Sequence, residues 1–137
     1  MADTDSEIDD LKEVIIGCGI EVHRTLGPGL LESVYRECLL IELKTQNLPA
    51  VCEQHVSLVY KGTPLKGQLK LDLLVENRVV VEVKAVEQYH PVHLAQLVTY
   101  LKLTGHPAAL LMNFNVTSLR SGLRRADHPD RYKQKFS

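Results

Sequence analysis

The sequence predicts an α/β protein of the α+β kind, with a mixed central sheet flanked by helices in the order α-α-β-β-β-α-β. Three observations predict it. Apolar residues recur at helical steps of three and four through the N-terminal third. Aliphatic and β-branched runs take over between Val51 and Ala85. A helical stretch then separates two short buried strands, and a strand–helix–strand unit implies a right-handed parallel crossover.

Each element has its own grounds. Ser6 reads as an N-cap with Asp9 in the capping-box position, and Ile8, Leu11, Ile15, Cys18 and Val22 follow as one helical stripe. Leu26-Gly27-Pro28-Gly29 breaks that helix. A second starts near Leu30, with Leu31, Val34, Tyr35, Cys38 and Ile41 as its stripe, and stops near Asn47-Leu48-Pro49. Val51–Tyr60 is β-rich, Lys61-Gly62-Thr63-Pro64 is turn chemistry, and Leu65–Val75 is a second strand with Gly67 as a bulge or bend. Glu76-Asn77-Arg78 turns into a third strand, Val79–Ala85. Pro91–Thr104 is helical, with Val98 and Leu101 facing inward and Gly105 as its stop. Ala108–Phe114 closes the order as a buried strand.

Composition sets limits on function. A chain of 137 residues with 45% hydrophobic and 24% charged residues suits one soluble globular domain. That domain covers residues 1–137, with a core over about 7–115 and a basic tail over 118–137. The acidic start MADTDSEIDD lacks a secretory pattern and no apolar run suits a membrane helix, so a cytoplasmic protein is expected. Cys18, Cys38 and Cys52 lack zinc-site spacing and read as core thiols in a reducing compartment. Net charge is −1, yet residues 1–60 hold 4 Lys+Arg against 11 Asp+Glu, and residues 61–137 hold 12 against 6. The basic tail (Arg120, Arg124, Arg125, Arg131, Lys133, Lys135) can approach phosphates or can simply be a solvated terminal segment.

The strand VVVEVKA, residues 79–85, places Glu82 and Lys84 on one face with Val80, and Val79, Val81 and Val83 on the other. Asp72 interrupts the preceding strand in the same way. If Val75 pairs with Val79 around a three-residue loop, Asp72 lies opposite Glu82 and Lys70 opposite Lys84; a two-residue loop would put Asp72 on the wrong face. The loop's last position, which favours left-handed Gly or Asn, is Arg78. Opposed carboxylates repel unless a cation lies between them, and a hard divalent ion such as Mg²⁺ is a natural occupant. Lys84 is placed to orient or deprotonate a water there. The same residues also read as a solvent-facing charge ladder. Glu32 and Tyr35 share the start of the second helix, and Gln96 and Tyr100 share a face of the crossover helix that can border the acids. Tyr35 and Tyr100 equally suit core aromatics, and Glu32 an i,i+4 partner for Arg36. His90 and His93 form H-x-x-H without an evident third ligand, at a helix entry marked by Pro91.

Gly29-Leu30-Leu31-Glu32-Ser33-Val34-Tyr35 resembles the signature of the bacterial GxxExxY proteins, within the PD-(D/E)xK nuclease superfamily. "EVHRTLGPGLLESVY", "LDLLVENRVVVEVKAVE" and "PVHLAQLVTYLKLTG" are similar to that family over about residues 12–115. The resemblance implies a restriction-endonuclease-like αβββαβ core with an extra N-terminal helix. It implies that Asp72 is the strand acid, Glu82-Val83-Lys84 the (D/E)xK motif, and Glu32 the helix acid completing the metal site. Gln96 and Tyr100 resemble the Q-x-x-x-Y motif of the RecB-like branch, associated with DNA contact, and His23 would match a helix histidine used there as a metal ligand. Leu71 stands where the pattern has proline. The expected activity is Mg²⁺- or Mn²⁺-dependent DNA hydrolysis, with Asp72, Glu82, the Val83 carbonyl and Glu32 holding the ion. The expected partners are DNA and a second copy or a larger complex. The alternative is a non-catalytic nucleic-acid- or protein-binding module on the same fold.

Overall fold

In the structure, a computed structural model describing residues 4–131, the stripe Ile8, Leu11, Ile15, Cys18, Val22 is buried on helix α1, Asp5–Leu26. The cap differs from expectation. Thr4, not Ser6, caps the helix: its hydroxyl accepts from Glu7 N at 3.0 Å, and Glu7 Oε2 accepts from Thr4 N at 3.3 Å. Thr4 and Glu7 have the same three-residue spacing as Ser6 and Asp9, so the box moves upstream by two residues.

Helix α2, Glu32–Thr45, buries Tyr35 as expected, but with Leu39 and Leu43 in place of the other expected positions. Leu31 is 74% exposed and Ile41 60% exposed. The buried residues recur every four positions from Tyr35, and Cys38 is only partly buried beside them. The Tyr35 ring stacks on Phe114 at 4.5 Å, and its hydroxyl donates to Gly27 O at 2.6 Å and accepts from Leu30 N at 3.1 Å. This one side chain therefore ties the α1–α2 loop to the core and sets the start of α2, where Glu32 lies.

Strands β1 (Ala50–Tyr60), β2 (Thr63–Val75), β3 (Val79–Lys84), β4 (Ala108–Asn113) and β5 (Leu123–Asp127) form one sheet in the order β1-β2-β3-β4-β5. Helix α3, Pro91–Thr104, makes the crossover between β3 and β4, which pair in parallel. It ends at Gly105, whose φ of 78° is the left-handed cap expected there. The β1–β2 pairing shifts register between Ser57 and Val59, opposite the stretch that contains Gly67.

The two sheet faces carry separate cores. Val79, Val81 and Val83 pack with α1 and α2 through Ile15, Tyr35 and Leu39, while Val80 packs with Leu97 and Leu101 of α3. The inner residues of α3 are thus Leu97 and Leu101, with Val98 partly buried beside them.

The C-terminal region differs most from expectation. A 3-10 helix, Leu119–Gly122, leads into β5, which pairs antiparallel with β4 where a solvated tail was one of two readings. β5 also supplies Asp127 to Lys12, a buried α1 cation 3.4 Å away that Asp9 meets at 3.2 Å. Arg131 then bonds Asp5 at 2.9 Å and pairs with Asp127. Lys133 and Lys135 lie outside the described residues. Cys18 is buried, but Cys52 is exposed and does not fit the core-thiol reading.

Candidate active site

The β2–β3 turn sets the register of the site. Val75 pairs with Val79 and Leu73 with Val81, the three-residue-loop alignment. The left-handed residues are Glu76 (φ 51°) and Asn77 (φ 56°), not Arg78, and Arg78 N closes the turn on Val75 O at 3.0 Å. Two left-handed positions match the twist of the hairpin, so Arg78 is spared.

One step beyond the last paired residues, side chains replace the backbone ladder. Asp72 N donates to Glu82 Oε1 at 3.2 Å, and Val83 N donates to Asp72 Oδ2 at 2.9 Å. The two carboxyls therefore meet between β2 and β3, with Glu82 only 7% exposed. Burial above all, then the Asp72 charge and a carboxyl–carboxyl hydrogen bond, push the Glu82 pKa up to about 8; an Asp72 backbone bond and Lys84 pull the other way. At neutral pH Glu82 holds a proton that a bound cation would displace.

Both helical layers reach this pair. From α2, Arg36 Nη1 lies 3.6 Å from Asp72 Oδ1, and Arg36 Nη2 lies 3.5 Å from Glu53. From α3, Tyr100 has its phenol pushed up by burial and by the charges of Glu82 and Asp72, with a Gln96 hydrogen bond opposing. Tyr100 thus lies within electrostatic reach of the acids, and Gln96 bonds Tyr100. Lys84 is half-buried at the end of β3, on the Glu82 side. Lys70 pairs with His55 across β1 and its amine lies 3.7 Å from Glu53, so the recorded β2–β3 ladder does not set it against Lys84.

Glu32 and His23 are placed elsewhere. Glu32 Oε2 accepts from Ala85 N at 3.3 Å, at the exit of β3. His23 Nε2 bonds Val116 O at 2.7 Å, and its ring lies 6.2 Å from Phe114. Among the described residues no group of three or more His, Cys, Asp or Glu is arranged to hold a metal ion. The acids therefore stand as a pair, a set that suits Mg²⁺, which commonly takes one or two protein carboxylates and keeps several waters. His90 and His93 cap α3 instead of forming a metal site: His90 Nδ1 accepts from Val92 N and His93 Nδ1 from His90 N, each at 3.2 Å.

Two residues were not singled out for the site from sequence. Arg36 was read only as a partner for Glu32, although its place one turn after that acid already aims it at the strands. Asn113 ends the apolar run of β4 and fixes the chain beyond Lys84: its Oδ1 accepts from Val86 N at 3.0 Å and its Nδ2 donates to Val86 O at 2.8 Å. A lone amide closing a buried strand was the available signal.

Comparison with known proteins agrees with this geometry. Residues 9–126 match the family model described as the PD-(D/E)XK nuclease superfamily. The crystal structure of SSO0001 matches the fold with a TM-score of 0.54 at 19% identity, over 72% of this chain and 50% of that one. The chain thus spans about half the length of that protein. The search of the curated proteins finds no significant match. No helix among the described residues is long and apolar enough to cross a membrane. With a five-stranded mixed sheet between helical layers and a family match over residues 9–126, this chain belongs to the PD-(D/E)XK nuclease superfamily.

Proposed function

We propose that the protein is a metal-dependent deoxyribonuclease hydrolysing phosphodiester bonds at the Asp72–Glu82 pair. The observation that carries the reading is the proton-holding carboxyl pair where the β2–β3 ladder ends, with Lys84 next on the same face of β3. A clustered acid pair is costly to keep in a purely structural setting, and membership of a nuclease superfamily supplies its use. The GxxExxY signature and the Gln96/Tyr100 pair support placement near the RecB-like branch.

Asp72 and Glu82, with the Val83 carbonyl, would hold Mg²⁺ or Mn²⁺, and the ion would supply Lewis-acid polarisation of the phosphate and a more acidic nucleophilic water. Glu82 gives up its proton on loading. Lys84 orients the attacking water and balances the charge that develops on the phosphoryl oxygens. Tyr100, its hydroxyl kept protonated by the neighbouring acids, donates to a non-bridging phosphate oxygen, and Gln96 holds it in place. Glu32, at the β3 exit, orders the backbone after Lys84. The chain works as one domain in a reducing cytoplasm, alone, as a homodimer or within a larger complex.

One observation favours a second reading, a non-catalytic binding module on this fold: the acid oxygens already accept from backbone amides, and among the described residues no third His, Cys, Asp or Glu joins them. Both readings are separated by a cleavage screen over linear, nicked, branched and single-stranded DNA with Mg²⁺ and with Mn²⁺. Metal-dependent cleavage lost in Asp72→Asn and in Lys84→Met supports the nuclease. Absence of cleavage on every substrate removes it.

A further inference from the structure

Glu82, Leu111 and Arg124 form one row across β3, β4 and β5, each paired with the next. Paired residues point to the same face, and adjacent strands lie about 4.8 Å apart, so Arg124 stands about 10 Å along the sheet from the acid pair. Between Arg124 and α3 the structure has a cavity of about 330 Å³ lined by Tyr89, Pro91, His93, Leu94, Leu111 and Arg124, with His90 at its edge. Its walls are mainly apolar. The Tyr89 ring packs there with the Arg124 guanidinium 5.0 Å from its centroid. The ring is fixed from below, because the Tyr89 hydroxyl donates to Gly122 O, with Leu111 O 3.4 Å away.

Resting on the nuclease reading of the acid pair, we propose that this cavity is a subsite for one unpaired nucleobase of the nucleic-acid strand, next to the scissile phosphate. The volume lies at the small end of ligand pockets, about 300–1,000 Å³. Its combination of flat aromatic wall, proline and guanidinium plane is the surface on which bases stack, and an arginine at the mouth can meet the backbone phosphate. The α3 histidines add hydrogen-bond donors. Each accepts a backbone N–H at Nδ1, so in the neutral form each carries its proton on Nε2. A base stacked and paired within a duplex cannot enter such a cavity without leaving the helix. The subsite therefore selects single-stranded, frayed or branched substrate, and gives no preference among bases because stacking uses the ring face.

The test uses oligonucleotides carrying 2-aminopurine, whose fluorescence falls when it stacks, in DNA and RNA form, single-stranded and fully duplex, with EDTA present so that nothing is cleaved. Wild type is expected to quench the single-stranded probe and leave the duplex probe bright. Tyr89→Leu should lose the quench and bind about tenfold more weakly, while Tyr89→Phe, which loses the same hydroxyl bond but keeps the ring, should behave as wild type. Arg124→Gln should weaken binding several-fold. Equal loss in Tyr89→Leu and Tyr89→Phe, equal quenching of duplex, or no binding by wild type would overturn the subsite. Metal-dependent cleavage without quenching removes the subsite and leaves the nuclease; quenching without any cleavage leaves the subsite and removes the nuclease.

Discussion

Loading the acid pair with a cation must displace the Glu82 proton, and the size of that effect follows from the structure. With a pKa pushed up to about 8, Glu82 is mostly protonated at pH 7, and its ionisation lowers apparent affinity there by about a factor of ten. Apparent Mn²⁺ affinity should therefore rise about tenfold per pH unit from pH 6 to 8 and level off above. Titration calorimetry in two buffers of different ionisation enthalpy reads the same event directly: about one proton released per ion at pH 6.5 and almost none at pH 9. Asp72→Asn removes the charge that helps raise Glu82 and also removes a ligand, so both affinity and its pH slope should fall. An affinity flat from pH 6 to 9, with no buffer dependence, would refute the coupling between this proton and the metal site.

The metal-free protein should show the opposite dependence. A carboxyl whose folded pKa lies above its unfolded value stabilises the fold below about pH 4.5 and loses that contribution as pH rises through about 8, so Tm should drop between pH 6 and 9 in wild type and stay flatter in Glu82→Gln. Tyr35→Phe leaves Gly27 O and Leu30 N without their shared hydroxyl and should lower stability by about 1–2 kcal/mol in denaturant titration. Gly122→Ala places a Cβ 2.3 Å from Asn113 O, so a loss of about 1–3 kcal/mol and a reduced Tm are expected. Asp127→Ala takes one partner from buried Lys12 and should cost about 3 kcal/mol, with Lys12→Met costing less because no charge is then left buried at that position.

Much of the site was legible because register is a counting problem. Counting left two loop lengths open, and the structure selects the one with Val75 opposite Val79, through a turn left-handed at Glu76 and Asn77, which puts Asp72 against Glu82. Strands β3 and β4 were legible because both faces are buried, which makes their text almost purely aliphatic. β5 was not, since "LRRAD" is an edge strand with its arginines in water, and its composition is that of a polar tail. On α2, Tyr35 was legible as an apolar-face residue, but its stacking on Phe114, 79 residues on, could not be read from local pattern. His23 illustrates the same limit: its bond to Val116 O, 93 residues on, has no local signal in the sequence.

The account rests on the acid pair being a metal centre, and anomalous diffraction from Mn²⁺-soaked crystals tests this most directly. A single strong peak is expected about 2.1 Å from a carboxylate oxygen of both Asp72 and Glu82, with Arg36 moved off Asp72. No peak at the pair in crystals soaked above pH 8, where Glu82 is ionised, or a peak only elsewhere, would contradict it.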